Sequence, residues 1–489
     1  MIASRFHLRR PQARPTATAA PEQQRSYTHT VSNILILGAG RVGATVAEQL
    51  VYEQHNVTIV DDNPANLAPL TSKLDLRVVA GSASSPTTLR EAGAADAELL
   101  LAVTPTDELN MVACKIAYQL FRVPTRIARI RNADLLAHED LFSEEDGFAI
   151  SHTITPAQVV TDYLSRLVKM PEALQVLDFA NGLVQLVVTR VTEGAPMAGK
   201  ALTAFNDVLP NTDRRVVGIY RNNRYIRPDG DSELHAGDEV FVLAESRQMR
   251  KVIGALHVVE SPIKNVLLAG GGNVGYRLAK ALQKDYSVKL VEADPVRAEW
   301  LANELAGVLV LHGDATNETM FEAEQIHRTD MYLALTSDDE DNIMSALLAR
   351  QMGARKVISI INRSRYVDLL QDSRIDVAIS PAQLTIGTLL AHARQGDIAA
   401  VKPLRRGAAE AVELVVHGTK NVSRVIGRRV DEIRMPAHAF LATIVRAGKV
   451  IMVHHDTVIE PDDRCIVFVH DKLRTREVEH LFAVKLGFF

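Results

Sequence analysis

Two long parts of the chain share a pattern of short apolar runs separated by stretches of helical periodicity. In the first part, the apolar run 34–37 leads into a glycine-rich turn, and apolar residues with helical spacing follow at Val42 and Leu50. A second apolar run, 57–60, ends in the acidic residue Asp61. A buried strand, an amphipathic helix and a second buried strand in this order predict a β-α-β unit with parallel strands.

The turn between the first strand and the helix has the spacing of a dinucleotide-binding turn. Gly38 permits the tight turn, Gly40 lets a pyrophosphate approach the backbone, and Gly43 allows the helix to pack closely on the strand. The N-terminus of the helix carries about +0.5 charge and free N–H groups, which suit a phosphate. Asp61 is placed to accept hydrogen bonds from ribose hydroxyls and to repel a 2′-phosphate, which disfavours NADP. The candidate residues of the turn are Gly38, Ala39, Gly40, Arg41, Val42 and Gly43.

Further strand ends are expected to complete this first cleft, because ligands of such folds bind beyond the carboxyl ends of the strands. They bring Ser82, Thr104 and Pro105 to the cleft. Arg129, near the end of a later strand, is placed to reach a phosphate or a neighbouring subunit, and a solvated surface arginine is the alternative. Asn110 is expected to open the helix that follows Pro105.

The same unit recurs 232 residues further along the chain. There an apolar run, 265–269, leads into a second glycine turn, and the next strand ends in Glu292. Thr104, Asp107 and Asn110 have identical counterparts at the same offset, which indicates a duplicated domain. The candidate residues of the second turn are Gly270, Gly271, Gly272, Asn273, Val274 and Gly275.

The two copies differ at positions that are expected to face the ligand. Asp314 stands where the first copy has Ser82, and Glu292 replaces the aspartate at the end of the second strand. After a shift of one residue, Ile360 takes the place of Arg129. Because a carboxylate and a hydroxyl differ in charge, the two clefts are expected to differ in ligand or in affinity.

After each of these units the pattern changes to short alternating strands separated by turn residues, which is typical of a small α+β module. A helix that starts at a proline connects each unit to its module, and the apolar face of the first of these helices, at 155–169, is expected to pack on another domain or on a symmetry mate. The turn at 461–463 lacks the glycine of its counterpart at 236–238, so its geometry is expected to differ. The fold class is therefore α/β, with Rossmann-like units at 32–154 and 263–380 and small α+β modules at 174–258 and 400–486.

Composition excludes several classes of function. The chain has 489 residues, 47% of them hydrophobic, and a net charge of −4 that favours neither nucleic acid nor an acidic lipid surface. No apolar run approaches the roughly 18 residues of a membrane span. Two cysteines imply no disulfide framework and fit a reducing compartment. Residues 1–31 are basic and rich in Pro, Ala, Ser and Thr, which indicates a disordered arm or a misassigned start.

These motifs resemble those of the RCK (KTN) family, which regulates potassium transport. The resemblance covers essentially all of residues 32–489. The order of the four domains and the segment at 378–398 are more specific to this family than the glycine turns. The segments that carry it are LILGAGRVG at 35–43, VDDNP at 60–64, LLAGGGNVG at 267–275, HGDAT at 312–316 and AISPAQLTIGTLLAHARQGDI at 378–398.

The resemblance implies a cytoplasmic regulatory subunit, peripheral on the inner face of the plasma membrane, that gates a Trk-type membrane potassium-translocating subunit. It also implies a homo-oligomeric RCK ring whose clefts bind NAD or NADH, and ATP or ADP, without catalytic residues or a metal. Carried onto this chain, the first site uses 38–42, Asp61, Thr104, Pro105 and Arg129, and the second uses 270–274 and Glu292.

Two other functions compete with this interpretation. An NAD-dependent dehydrogenase usually adds a larger substrate domain with a proton-transfer residue, whereas here only a small module follows each unit. A scaffold with empty clefts is disfavoured by the intact glycine and acid positions of both copies. The sequence sets neither the direction of regulation, nor the nucleotide that each cleft prefers, nor the stoichiometry of the ring.

Overall fold

The computed structural model of the chain describes residues 32–52, 54–258, 261–370, 374–393, 398–404, 409–471 and 474–484. The predicted N-terminal arm and the aromatic C-terminal residues 488–489 lie outside these ranges. Within the described ranges, no helix combines the length and the apolar character needed to cross a membrane.

The first unit alternates strands and helices, as predicted. Its elements are β1 (Asn33–Leu37), α1 (Arg41–Tyr52), β2 (Asn56–Asp61), α2 (Pro64–Thr71), β3 (Arg77–Ala80), α3 (Pro86–Glu91), β4 (Leu99–Ala102), α4 (Asp107–Phe121), β5 (Thr125–Arg129), α5 (Ala133–Leu136) and β6 (His152–Ile154). The strands pair in the order β3-β2-β1-β4-β5-β6, and every pairing is parallel. Apolar clusters cover both faces of the sheet. The strand order reverses between β1 and β4, and the carboxyl ends of these strands therefore flank a cleft.

The expected start of α4 at Asn110 is wrong, because the helix begins at Asp107. Asp107 and Glu108 occupy its first turn, where the helix dipole favours negative charge. Asn110 lies three residues after the start of the helix, and its side chain is directed to the neighbouring strand ends instead of capping the helix.

The first small module is an antiparallel sheet with one covering helix. Its strands pair in the order β11-β10-β13-β8-β7, and a separate two-stranded pair joins β12 to β9. Together with its connecting helix, it comprises α6 (Pro156–Lys169), β7 (Ala173–Phe179), β8 (Val184–Arg190), β9 (Lys200–Ala201), α7 (Phe205–Val208), β10 (Arg214–Arg221), β11 (Arg224–Ile226), β12 (Glu233–Leu234), β13 (Glu239–Glu245) and α8 (Ser246–Leu256).

The second Rossmann-like unit repeats the first. Its elements are β14 (Asn265–Ala269), α9 (Asn273–Leu282), β15 (Ser287–Glu292), α10 (Pro295–Glu304), β16 (Val308–His312), α11 (Glu318–Ala323), β17 (Met331–Ala334), α12 (Asp339–Gln351), β18 (Lys356–Ile360), α13 (Ser364–Leu369) and β19 (Val377–Ile379). The strand order, β16-β15-β14-β17-β18-β19, is that of the first sheet, and the pairings are again parallel.

The second small module follows a second connecting helix and has the same sheet topology as the first module. Its elements are α14 (Pro381–Ala393), β20 (Ile398–Leu404), β21 (Ala409–Val415), β22 (Ala439–Arg446), β23 (Lys449–Met452), β24 (Arg464–Val469) and α15 (Thr475–Phe482). The strands pair in the order β20-β21-β24-β22-β23, which is the order of the first module read from its other edge. The α/β fold class with two alternating kinds of domain is therefore confirmed.

The prediction that the turn at 461–463 differs from its counterpart is wrong. Asp462 has a φ of +64° and Gly237 a φ of +90°, so both turns place a residue in the left-handed region, which Asp tolerates better than most residues. Asp463 accepts two hydrogen bonds of 2.8 Å from Arg446, and Asp238 accepts two of the same length from its own arginine, Arg221. Each turn is thus fixed by an equivalent ion pair between an arginine and a buried aspartate.

The connecting helices cross between the two halves of the chain. Helix α6, which follows the first Rossmann-like unit, packs against α9 of the second, and Arg277 Nη1 donates to Gln158 Oε1 at 3.0 Å. Helix α14, which follows the second unit, packs against α1 of the first and against α6, and Ile386 is buried in the core of the first unit. The expected packing of the first connector on another domain is therefore confirmed, and the second connector packs in the same way.

The two small modules also face each other. Tyr225 stacks on His470 with ring centroids 3.7 Å apart, and Tyr220 Oη lies 2.9 Å from His470 Nδ1. The backbone N–H of Ala180 donates to the buried carboxylate of Glu413 at 3.0 Å. Each half of the chain thus contacts the other through both its helices and its sheets.

Candidate functional site

In the first unit, the loop between β1 and α1 is the tight turn that the glycine spacing predicts. Gly38 has a φ of +103°, and its N–H donates to Val60 O at 2.8 Å. A Cβ on Gly38 would lie 3.0 Å from Thr104 N, and a Cβ on Gly43 would lie 1.9 Å from Gly38 O. Gly40 is exposed, and a Cβ there would have no neighbour within 4 Å. Two of the glycines therefore serve backbone packing, and the third leaves open space at the helix N-terminus, where a pyrophosphate fits.

Asp61 at the end of β2 bridges this turn and the next loop. One carboxylate oxygen accepts a hydrogen bond from Ala39 N at 2.6 Å, and the other accepts one from Asn63 N at 2.9 Å. Arg41 and Val42 form the first two positions of α1, where backbone N–H groups lack partners within the helix. The cleft therefore offers N–H donors beside an oriented, half-buried carboxylate, which is the pairing that a nucleotide phosphate and ribose require.

Asn110 clamps the ends of β4 and β5 together. Its Oδ1 accepts from Thr104 N at 2.9 Å and from Thr104 Oγ1 at 2.7 Å, and its Nδ2 donates to Arg129 O at 2.9 Å. The hydroxyl of Thr104, which was expected to face the ligand, is thus bonded within the protein. Asn342 makes the equivalent bond to Ile360 O at 3.0 Å in the second unit. This match shows that Ile360 is the structural counterpart of Arg129.

Two arginines lie at the carboxyl edge of the first sheet. Arg129 Nη2 donates to Thr104 O at 2.5 Å, so this side chain is not a solvated surface residue, and its buried Nε has no hydrogen-bond partner among the described residues. Burial lowers the pKa of Arg129, and the positive charge of Arg131 lowers this pKa further, whereas Asp107 opposes the change. Arg131, which sequence analysis did not single out, donates to Pro105 O and forms an ion pair with Asp107.

The glycine turn of the second unit repeats this geometry with one difference. Gly270 has a φ of +102°, and a Cβ on Gly275 would lie 1.9 Å from Gly270 O. A Cβ on Gly272 would meet nothing within 4 Å, as at the open position of the first turn. A Cβ on Gly271 would lie 2.2 Å from Leu301 Cδ1, so an alanine here, as in the first unit, would require the Leu301 side chain to move.

A cleft of about 680 Å³ opens in front of this second turn. Glu292 Oε2 accepts from Gly271 N at 2.7 Å, and its Oε1 accepts from Asp294 N at 2.9 Å, which repeats the role of the acid in the first unit. Three of the residues singled out in the sequence lie in the cleft wall. The lining residues are Gly272, Asn273, Glu292, Asp294, Val296, Arg297 and Trp300.

Asp314 is not among the residues that line this cleft. It is exposed, and its Oδ1 accepts hydrogen bonds of 2.8 Å from both the N–H and the hydroxyl of Thr316. Ser82 occupies the same turn in the first unit and makes a similar contact, of 3.4 Å, with Ser84 N. The Asp314 carboxylate therefore stabilises its own turn, and a role in ligand binding stays a prediction.

Arg297 and Trp300, which form one wall of the second cleft, were not among the residues predicted from the sequence. They lie on α10, a helix that carries no residue of the glycine motif. One signal was available, because Trp300 is the only tryptophan of the chain and follows Glu292 by eight residues. Its partner Arg297 could be found only from the packing of the helix.

Comparison with protein families matches the same repeated organisation. The family model of the TrkA-N domain matches residues 34–156 and 266–381, and the model of the TrkA-C domain matches residues 186–257. The second small module lies outside these matches, and its likeness to the first is seen in its strand order.

Several curated proteins are similar over nearly the whole chain. The Trk system potassium uptake protein TrkA of Halomonas elongata is 48% identical over 456 residues, which are 93% of this chain and 100% of the relative. The protein of the same name from Vibrio alginolyticus is 47% identical, over 92% of this chain and 98% of the relative.

Solved structures with the same fold are more distant in sequence. The GsuK channel has a TM-score of 0.61 at 18% identity, and the alignment covers 93% of this chain and 79% of the channel chain. The GsuK channel bound to NAD has a TM-score of 0.59 at the same identity, with the same coverage. At this level of identity the likeness establishes the fold alone.

Proposed function

Since the chain belongs to the TrkA family of Trk system potassium uptake proteins, we propose that it is the nucleotide-sensing regulatory subunit of a Trk-type potassium transporter. In this proposal it is a cytoplasmic protein, peripheral on the inner face of the plasma membrane, and it assembles into a homo-oligomeric ring of RCK domains. Nucleotides in its clefts change the shape of the ring, and this change gates the membrane subunit.

The observation that carries the proposal is the open position in each glycine turn. Gly40 and Gly272 leave free space at a helix N-terminus, while a carboxylate from the next strand, Asp61 or Glu292, is held at the turn by a backbone N–H. This combination supports binding of NAD or NADH in both clefts, with the pyrophosphate on the helix N-terminus and the ribose on the carboxylate.

The charges at the sheet edge support a different ligand preference in the two clefts. Arg129 and Arg131 bring two cations to the first cleft, whereas Ile360 replaces the first of them in the second cleft. Additional phosphate charge is stabilised by nearby guanidinium groups. We therefore assign ATP and ADP, alongside NAD(H), to the first cleft.

The crossing of the connecting helices supports a mechanism of coupling. Helices α1 and α9 begin at the two phosphate sites, and each packs against the connector that follows the other Rossmann-like unit. A ligand shifts a conformational equilibrium only by the difference of its affinities for the two states. In the proposed mechanism, a nucleotide that binds more tightly to one arrangement of helix and connector stabilises that arrangement in the ring.

The test is a calorimetric titration of the purified protein with NADH, NAD, ATP and ADP in turn, followed by potassium flux in vesicles that contain a Trk-type membrane subunit. The proposal expects binding of both classes of nucleotide without their consumption, and a flux that depends on the nucleotide. If absorbance shows sustained oxidation of NADH in the presence of any keto acid, the protein would instead be identified as a dehydrogenase. A potassium flux that is unchanged by any of the nucleotides would contradict the proposed regulation.

A further inference from the structure

One wall of the second cleft carries an arginine stacked on an aromatic ring. The Cζ of Arg297 lies 4.1 Å from the ring centroid of Trp300, and Arg297 Nε donates to Gly271 O at 3.0 Å. Tyr276 supports the stack from α9, with its ring centroid 5.0 Å from that of Trp300. The hydrogen bond of Nε and the Trp300 ring hold the guanidinium in place, and the Tyr276 ring centroid lies further away, 5.9 Å from Arg297 Cζ. Among the described residues, its two terminal nitrogens have no hydrogen-bond partner.

The first cleft has no equivalent of this wall. Five residues after the acid, where the second unit has Arg297, the first unit has Asn66, whose Nδ2 donates to Asp61 Oδ1 at 3.0 Å. Eight residues after the acid, Pro69 stands in place of Trp300. The cation and the aromatic ring are therefore specific to the second cleft and are not part of the repeated scaffold.

We propose that Arg297 is the adenine-binding residue of the second cleft, where its guanidinium is sandwiched between Trp300 and the base of an adenine nucleotide. This inference rests on the proposed function and assigns a position to the adenosine half of the ligand. A planar guanidinium stacks on a nucleobase as it stacks on an aromatic side chain. Glu292 and Gly272, which line the same cleft, then face the ribose and the phosphates of that nucleotide.

Trp300 gives this cleft its own signal, because the chain has one tryptophan. Its emission is recorded while NAD, ADP-ribose or nicotinamide mononucleotide is added to the full-length protein. NAD and ADP-ribose, which contain adenosine, are expected to change the emission with saturation. Nicotinamide mononucleotide, which lacks adenosine, is expected to leave it unchanged over the same concentrations. An equal response to all three ligands would overturn the assignment of the base.

Arg297→Ala is expected to weaken the binding of ADP-ribose reported by Trp300 by about 5- to 150-fold, the usual effect of losing one stacked base contact. Arg297→Lys keeps the charge but not the plane, and is expected to lose nearly as much. Arg247→Ala, which removes an exposed arginine from the first small module, is the matched control and is expected to bind normally. The thermal unfolding midpoint of each variant is measured to show that it is folded.

The outcomes separate this inference from the proposed function. Unchanged affinity in folded Arg297→Ala, or full affinity in Arg297→Lys, would refute the stacking role while leaving nucleotide binding intact. Calorimetry that detects no nucleotide in either cleft of the unsubstituted protein would refute both. If calorimetry of Arg297→Ala shows one weakened site while the other sites keep their native affinity, the result would support the inference.

Discussion

Each glycine turn contains one glycine that is needed for backbone packing and one that borders the proposed phosphate site. Substituting each in turn therefore distinguishes an effect on folding from an effect on binding. A Cβ on Gly43 would lie 1.9 Å from Gly38 O and 3.0 Å from Gly38 C, where ordinary contacts are 3.4–4 Å. A Cβ on Gly40 would meet no atom within 4 Å. Gly43→Ala therefore alters the contact between α1 and β1, whereas Gly40→Ala fills only the space in which a phosphate is expected.

The magnitudes follow from these distances. The neighbour of the Gly43 Cβ is backbone in a fixed turn and cannot rotate away, so the overpacking cost is expected at the upper end of its usual range, about 3 kcal/mol. Gly40 precedes the helix, where exchange of Gly for Ala changes stability by less than about 1 kcal/mol. Losing even one charge-assisted hydrogen bond to the pyrophosphate costs about 1.5 kcal/mol, which weakens NADH binding in the first cleft by at least about tenfold.

The assay combines scanning calorimetry with a calorimetric titration of NADH for the unsubstituted protein and both variants. Gly40→Ala is expected to unfold at nearly the original midpoint and to lose one class of NADH site. Gly43→Ala is expected to unfold at a lower temperature. The second cleft serves as an internal control, because Gly272→Ala should lose the NADH site of that cleft instead, whereas Gly275→Ala should lower the unfolding temperature as Gly43→Ala does.

Either of two results would refute this reasoning. If Gly40→Ala lowers the unfolding midpoint as much as Gly43→Ala does, the open space at this turn has been misjudged. If a folded Gly40→Ala binds NADH in both clefts with native affinity, the pyrophosphate does not lie on the N-terminus of α1.

Three further results are expected. Asp61→Ala should weaken NADH binding in the first cleft by about 1.5–3 kcal/mol in isothermal titration, because it removes the ribose acceptor, whereas the exposed neighbour in Asp62→Ala should have no effect; equal affinities in the two variants would show that the ribose lies elsewhere. Asn110→Ala should lower the free energy of unfolding by about 2–3 kcal/mol in urea titration, since it leaves the buried Thr104 groups unpaired, and an unchanged midpoint would show that water replaces the clamp. Burial raises the pKa of the Cys114 thiol from 9.0 to about 12, and Arg126 opposes this rise with a smaller effect. The unfolded chain therefore loses this proton first, and the free energy of unfolding should fall as the pH rises above 9.0. Thiol reagents should not label Cys114 in the folded protein at pH 8, and rapid labelling there would contradict its burial.

The alternation of apolar runs and helical periodicity was sufficient to predict both Rossmann-like units, because buried parallel strands leave a strong signal in the sequence. The start of α4 was misplaced because a local cap signal at Asn110 competed with a tertiary role. Its amide joins two strand ends that lie far apart in the chain, and no local pattern reports such a contact. The turn at Asp462 was misjudged for a related reason, since the buried ion pair of Asp463 with Arg446 holds the left-handed residue in place without a glycine.

The candidate site divides along the same line. The glycines and the acids follow from spacing, because their roles are set by the adjacent strand and helix. Arg131 and the stacked pair Arg297 and Trp300 depend on how separate helices and strands meet, so sequence spacing did not reveal them. Asp314, in contrast, has a carboxylate that could bind a ligand, but its Oδ1 accepts hydrogen bonds from Thr316 within its own exposed turn.

The crossing of the connectors predicts that binding in one proposed cleft affects binding in the other. Helix α1 packs on α14, which leads into the second small module, and α9 packs on α6, which leads into the first. We expect a movement of α1 or α9 on binding to be passed to the helix it packs on. Because α6 and α14 also pack on each other, we expect the two arrangements to change together. Occupation of one cleft should therefore alter the affinity of the other, and the same coupling free energy must appear in both directions of titration.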